Sequence, residues 1–114
     1  MKVVFYQTLS GRRPVEEFIL GLSFSDQALF KSIWDVIGRE GLQYPFVQFK
    51  HLEGKVWKIK FKGVDGSYRI AYVVLSGPRM IWLHAFKKKT QKISPLDLGL
   101  ALKRMREVLV DEKS

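Results

Sequence analysis

Lysine recurs at alternate positions in KVWKIKFK (residues 55–62), where Lys58, Lys60 and Lys62 share one parity with no acid among them. A strand rises about 3.3 Å per residue, so these ammonium groups project from one face roughly 7 Å apart, near the spacing of phosphates along a single nucleic-acid strand. Lys55 opens the same stretch, and a second cluster, Lys87-Lys88-Lys89 with Lys92, follows in KKKTQK. Arg69 stands in SYRIAY, with Ala71 and Val73 on its face, so its guanidinium is expected to be partly enclosed. A guanidinium can hold two phosphate oxygens at once with its planar fork. The chemistry these residues suit is the gripping of phosphates. The plainer alternative is solvated edge protection for the lysines, with Arg69 snorkelling or paired to Asp65 or a helix acid.

The two histidines are less specific. His84 lies between Trp82 and Phe86 on an otherwise apolar parity, where a hydrogen-bonded core role competes with a role in a site. His51 lies in the preceding segment. Neither has a metal-ligand spacing, and no Ser/His/Asp arrangement or Gly-rich phosphate loop is present. No metal or cofactor is expected.

The net charge of +9 on 114 residues is unevenly placed. Residues 1–54 carry six Lys/Arg and six acids, and residues 93–114 carry four of each, whereas residues 55–92 carry ten cations against Asp65 alone. That block implies a polyanionic partner: nucleic acid, a membrane surface or an acidic protein. The cations lie on strands rather than on one face of an amphipathic helix, which disfavours the membrane. No apolar run reaches membrane-spanning length, and MKVVFYQTLSGRR has too short a run for a signal peptide. The absence of cysteine fits a reducing compartment, so a soluble, cytoplasmic protein is expected. The length suits one domain over 1–114.

Alternation and helical spacing predict the elements that carry these groups. KVVFYQ (2–7) reads as a strand. Pro14 suits the first position of a helix with Val15, Phe18, Ile19 and Leu22 inside. Ser25 reads as the N-cap of a second helix, Asp26 as a first-turn anion, and Leu29, Ile33, Val36 and Ile37 as its inner face, stopping near Gly41. Residues 42–54 read as loop. Strands follow at 55–62, 67–75 and 79–86, joined by turns at 64–66 and 76–78. The third has Ile81, Leu83 and Ala85 on one face and Met80, Trp82 and Phe86 on the other, as in a central strand covered on both sides. Ser94-Pro95 caps a last helix that buries Leu98, Ala101, Leu102, Met105, Val108 and Leu109 and leaves Lys103, Arg104, Arg106 and Glu107 outside. The order β-α-α-β-β-β-α gives an α+β fold, a small, mainly antiparallel sheet packed on helices.

The segments Leu52–Phe61 (LEGKVWKIKF), Gly66–Tyr72 (GSYRIAY) and Leu83–Pro95 (LHAFKKKTQKISP) together resemble the phage-derived branch of the RelE/HigB toxin superfamily. The resemblance implies a fold like that of microbial ribonucleases. It also implies cleavage of messenger RNA, usually on the ribosome, and silencing by a cognate antitoxin, in the HigB-like branch one with a helix-turn-helix domain (HigA-like). Lys58, Lys60 and Arg69 match positions where RelE-like toxins place basic active-site residues, and Lys87–Lys89 fall near a further basic position. Where such relatives carry a tyrosine after the last strand, this chain has Thr90 and Gln91, so the general base stays open.

Metal-free cleavage requires removal of the 2′-OH proton, stabilisation of the phosphorane and protonation of the 5′-oxygen. Lys58, Lys60 or His84 could take the proton, crowding among lysines favouring the neutral amine. Arg69 would hold the scissile phosphate. Lys55, Lys62, Lys87, Lys88, Lys89 and Lys92 would engage flanking RNA, and Trp57 and Tyr72 could stack on a base. The alternatives are a nucleic-acid-binding module without chemistry and a phage protein that binds an acidic partner.

Overall fold

The computed structural model describes residues 1–43 and 45–113. Strand β1 (Lys2–Phe5) leads to helices α1 (Pro14–Leu20) and α2 (Phe24–Glu40) and a 3-10 turn at Gly41–Gln43. Strands β2 (Gln48–Glu53), β3 (Val56–Lys62), β4 (Ser67–Leu75) and β5 (Arg79–Lys87) follow, then helix α3 (Pro95–Lys113). The five strands form one sheet in the order β1-β5-β4-β3-β2, with β1 parallel to β5 and every other pair antiparallel. The fold is α+β, as expected.

Each face of the sheet has its own core. Phe30, Ile33 and Ile37 of α2 and Val15 of α1 pack on Ile59, Phe61, Tyr68, Ile70, Tyr72, Met80, Trp82 and Ala85. On the opposite face Ala101, Leu102, Met105, Val108 and Leu109 of α3 cover Val56, Ala71, Val73, Leu75, Ile81 and Leu83. Burial on both faces explains why β4 and β5 read as almost continuous apolar runs. Helix α3 covers one end of its face; at the other end the alternate residues of β3 and β4 are Lys58, Lys60 and Arg69.

Several local expectations change. Residues 48–53 form edge strand β2 rather than loop; Tyr44 lies outside the described residues. The two half-buried residues of β2, Phe49 and Leu52, pack on opposite faces of the sheet, so neither face of this short strand shows an apolar repeat of period two. The cap of α2 is Ser23, whose side chain accepts from the Asp26 backbone N–H, not Ser25. Asp26 stands in the first turn of α2, as expected, and is fully buried. Its carboxylate accepts from the backbone N–H of Val64 (2.7 Å) and Asp65 (3.0 Å) and from the Tyr68 hydroxyl, tying the β3–β4 turn to α2. The Tyr68 bond and the two N–H groups hold that carboxyl below its ordinary range against the cost of burial. Burial and Asp26 push the Tyr68 hydroxyl up to about 12.

The largest change is in β5. Ala71 pairs with His84 and Tyr72 with Trp82, so Leu83 is an extra residue without a partner on β4. This bulge reverses the parity beyond it: Ala85 joins Trp82 in the core under α1 and α2, while His84 and Phe86 turn to the face of α3. Arg104, expected outside, turns inward too; its guanidinium donates to the Leu83 carbonyl (3.0 Å) and lies 5.1 Å from the centre of the Tyr6 ring.

Candidate functional site

Strand register assembles a cationic floor from three strands. Across the sheet Gln48 faces Lys60, Lys60 faces Arg69 and Arg69 faces Phe86; in the neighbouring row Lys50 faces Lys58, Lys58 faces Ala71 and Ala71 faces His84. Neighbouring strands lie about 4.8 Å apart, so Lys50, Lys58, Lys60 and Arg69 crowd one patch. Lys50 was missed in the sequence because its strand reads as loop, and its charge belongs to the balanced half of the chain.

Arg69 is only 8% exposed. Its Nη1 donates to the Tyr68 carbonyl oxygen at 2.9 Å, and among the described residues no carboxylate pairs with it. The alternative pairing with Asp65 or a helix acid is not found among the described residues. Burial pulls its pKa below the ordinary arginine value, yet a guanidinium stays charged in proteins. A buried charge without a counter-ion is costly, and an anion arriving from outside would relieve that cost.

The lysines feel the same field. Burial, then Arg69, Lys50 and Lys88 in turn, lowers the Lys58 pKa. Burial, then Lys50, Arg69 and Lys58, lowers that of Lys60. Both amines lose their protons more readily than a free lysine, which suits one of them to act as a base while the others stay charged.

Above the floor lies a cleft of about 470 Å³, walled by Lys58, Lys60, Arg69, Phe86 and the connector from Lys87 into the start of α3. Lys88, Lys89 and Lys92 line it, and Asp97 is the one carboxylate among the lining residues. Lys87 belongs to the wall, but its stem crosses Gly66 and its charge acts on Asp26. Lys55 and Lys62 are exposed and line neither this cleft nor the cavity beside it. That second cavity, about 420 Å³, shares Lys60 and Arg69 with the first and continues to Pro45–Gln48, Phe61 and Ser67.

His84 stands behind the cleft rather than in it. Its Nε2 lies 2.7 Å from Asp97 Oδ1, and its Nδ1 lies 3.3 Å from Nη1 of Arg104. Arginine has only donors, so Nδ1 accepts and the proton sits on Nε2, which donates to Asp97. Burial lowers the histidine's pKa, against the opposing pull of Asp97. The other Asp97 oxygen accepts from the Ser94 hydroxyl (2.8 Å), and Ser94 Oγ in turn accepts from the Asp97 backbone N–H (3.1 Å), which is the expected cap of α3. His84 also stacks on Phe86, ring centres 5.4 Å apart. With both nitrogens engaged, His84 fixes Asp97 and Phe86 in place.

The remaining candidates lie elsewhere. His51 is on β2, its Nε2 2.8 Å from the Gly54 carbonyl oxygen and its ring edge-on to Trp57. Tyr72 is buried in the core under α1 and α2, where burial pushes its hydroxyl up to about 12. Trp57 pairs with Tyr72 across β3 and β4, on the face away from the cations. Neither ring reaches the cleft. Among the described residues no group of three or more His, Cys, Asp or Glu side chains could hold a metal ion, and no helix is long and apolar enough to cross a membrane.

Compared with known families, residues 17–106 match the model described as phage derived protein Gp49-like (DUF891). The matched span holds the whole cationic floor, the connector and most of α3. No curated protein matches the sequence.

Proposed function

We propose that this chain, which belongs to the Gp49-like family of phage-derived proteins and with it broadly to the RelE/HigB-like toxins, is the toxin of a type II toxin–antitoxin pair and cleaves messenger RNA. The observation that carries the reading is Arg69: buried, charged, hydrogen-bonded to a backbone carbonyl and without an acidic partner among the described residues, at the centre of Lys50, Lys58, Lys60 and Lys88. Such a group awaits an anion, and the 2′-OH beside an RNA phosphate is the nucleophile the neighbouring amines can activate.

In this mechanism Lys58 or Lys60, its pKa lowered, takes the 2′-OH proton as the 2′-oxygen attacks phosphorus. Arg69 holds the non-bridging oxygens as their charge grows, a preorganised contribution that needs no rearrangement during the reaction. The bond from phosphorus to the 5′-oxygen breaks, and a neighbouring ammonium gives that oxygen a proton. The products are a 2′,3′-cyclic phosphate and a 5′-hydroxyl. His84 acts through Asp97, and Lys88, Lys89 and Lys92 hold flanking RNA or ribosomal RNA. The ribosome is the expected setting of cleavage, and a helix-turn-helix antitoxin the silencing partner.

Induced expression should arrest growth and produce RNA fragments with 2′,3′-cyclic phosphate ends. Arg69→Ala should fold, with an unchanged circular dichroism spectrum, and do neither. A folded Arg69→Ala protein that still cuts RNA removes Arg69 from the chemistry. Wild-type protein that binds RNA but yields no such ends is a binding module and not an enzyme.

A further inference from the structure

The second cavity is distinct in chemistry from the cleft it adjoins. Apart from Lys60 and Arg69, which the two share, its walls are Pro45, Phe46, Val47, Gln48, Phe61 and Ser67. None is charged. Phe46 is 80% exposed at its rim, while Val47 and Phe61 belong to the core under α1 and α2. Gln48 stands directly across from Lys60, and Ser67 precedes Arg69 on the opposite side, so an amide and a hydroxyl share the cation-bearing face with them. A phosphate held at Lys60 and Arg69 sits where the two cavities meet, and the nucleic-acid chain must leave it in both directions. One direction opens on the lysine-lined cleft, the other on this cavity, whose remaining lining residues carry no charge.

We propose that the cavity bounded by Phe46, Gln48 and Ser67 is a nucleobase subsite, in which a base next to the bound phosphate stacks on the Phe46 ring and offers its edge to Gln48 or Ser67. It rests on the reading of the cationic cleft as an RNA site. An exposed aromatic ring with an amide and a hydroxyl beside it, and no cation beyond the two that hold the phosphate, suits a base rather than a second phosphate, because every base has an apolar face and a polar edge. The cations hold any phosphate alike, so Phe46 and its two polar neighbours select which nucleotide flanks the cut.

The test uses the full chain and a short single-stranded 2′-fluoro RNA, which has no 2′-OH and cannot be cut, with each base in turn replaced by an abasic sugar. Phe46→Ala should weaken binding about five- to a hundredfold, the range of one base–aromatic stack, and Phe46→Trp should restore it. At one abasic position the wild type should lose the same factor, and Phe46→Ala should lose nothing more. Binding by Phe46→Ala equal to wild type, or additive losses at every abasic position, overturns the subsite. If Arg69→Ala then still abolishes binding, the cationic site survives that failure. If the wild type binds no RNA, both readings fall.

Discussion

Arg69 concentrates the conflict between stability and function at the scale of a single residue. It is buried beside Lys58 and Lys60 and, among the described residues, holds a carbonyl oxygen and no carboxylate, so like charges in a poorly solvated place oppose the fold. Removing it should relieve that repulsion: Arg69→Ala is expected to gain melting temperature relative to wild type at low salt and to lose that gain as salt screens the cluster. A variant less stable by the same amount at every salt concentration would mean that Arg69 contributes packing instead. The same crowding sets the proton chemistry. If a lysine is the base, the rate of RNA cleavage rises with pH as its proton leaves, with an inflection below the ordinary lysine value of about 10.4. Lys50 is among the causes of the lowered values at both Lys58 and Lys60, so Lys50→Ala should move the inflection upward. An inflection below the ordinary histidine value of about 6.5, the direction in which burial moves His84, and unmoved by Lys50→Ala, would point to that histidine.

Among the elements, the β3–β4 hairpin carries most of the floor, and its turn is held from below. Asp26 reaches from α2 to the backbone of Val64 and Asp65 and to the Tyr68 hydroxyl, and Gly63 leaves room for that carboxylate. A β-carbon at Gly63 would lie 2.6 Å from Asp26 Oδ1 and 2.7 Å from Tyr68 Cε2. Gly63→Ala is therefore expected to cost about 1–3 kcal/mol, the usual penalty for overpacking, read as a lower urea midpoint with unchanged slope. A midpoint equal to wild type would show that the turn is free to move. The hairpin itself was legible from the alternation in KVWKIKFK and SYRIAY and from the turn between them. Its clamp was not: an aspartate near a helix start reads as a dipole anion, and its partners lie 38 to 42 residues away.

For the whole molecule, the excess charge that the sequence places in residues 55–92 lies partly on one face of one sheet, at the end that α3 leaves bare. Single-stranded RNA binding that engages Lys58, Lys60, Arg69 and Lys88 should weaken with a slope of about −3 in log affinity against log salt, from about 0.7 per phosphate. A slope near zero would mean that the cluster does not contact the RNA backbone.

Composition, period and turn chemistry were enough for the α+β class, the two helices before the strand block, the basic hairpin and the capped last helix, because each depends on residues close together in the chain. Tertiary structure decided what depends on register. It paired edge strand β2 with β3 and so brought Lys50 to the floor. It placed an extra residue at Leu83, which turned His84 and Phe86 toward α3. It joined the Phe46 cavity to Arg69. A shift of one residue in a strand exchanges its two faces, and the chain's own alternation carries no mark of where a partner strand imposes that shift.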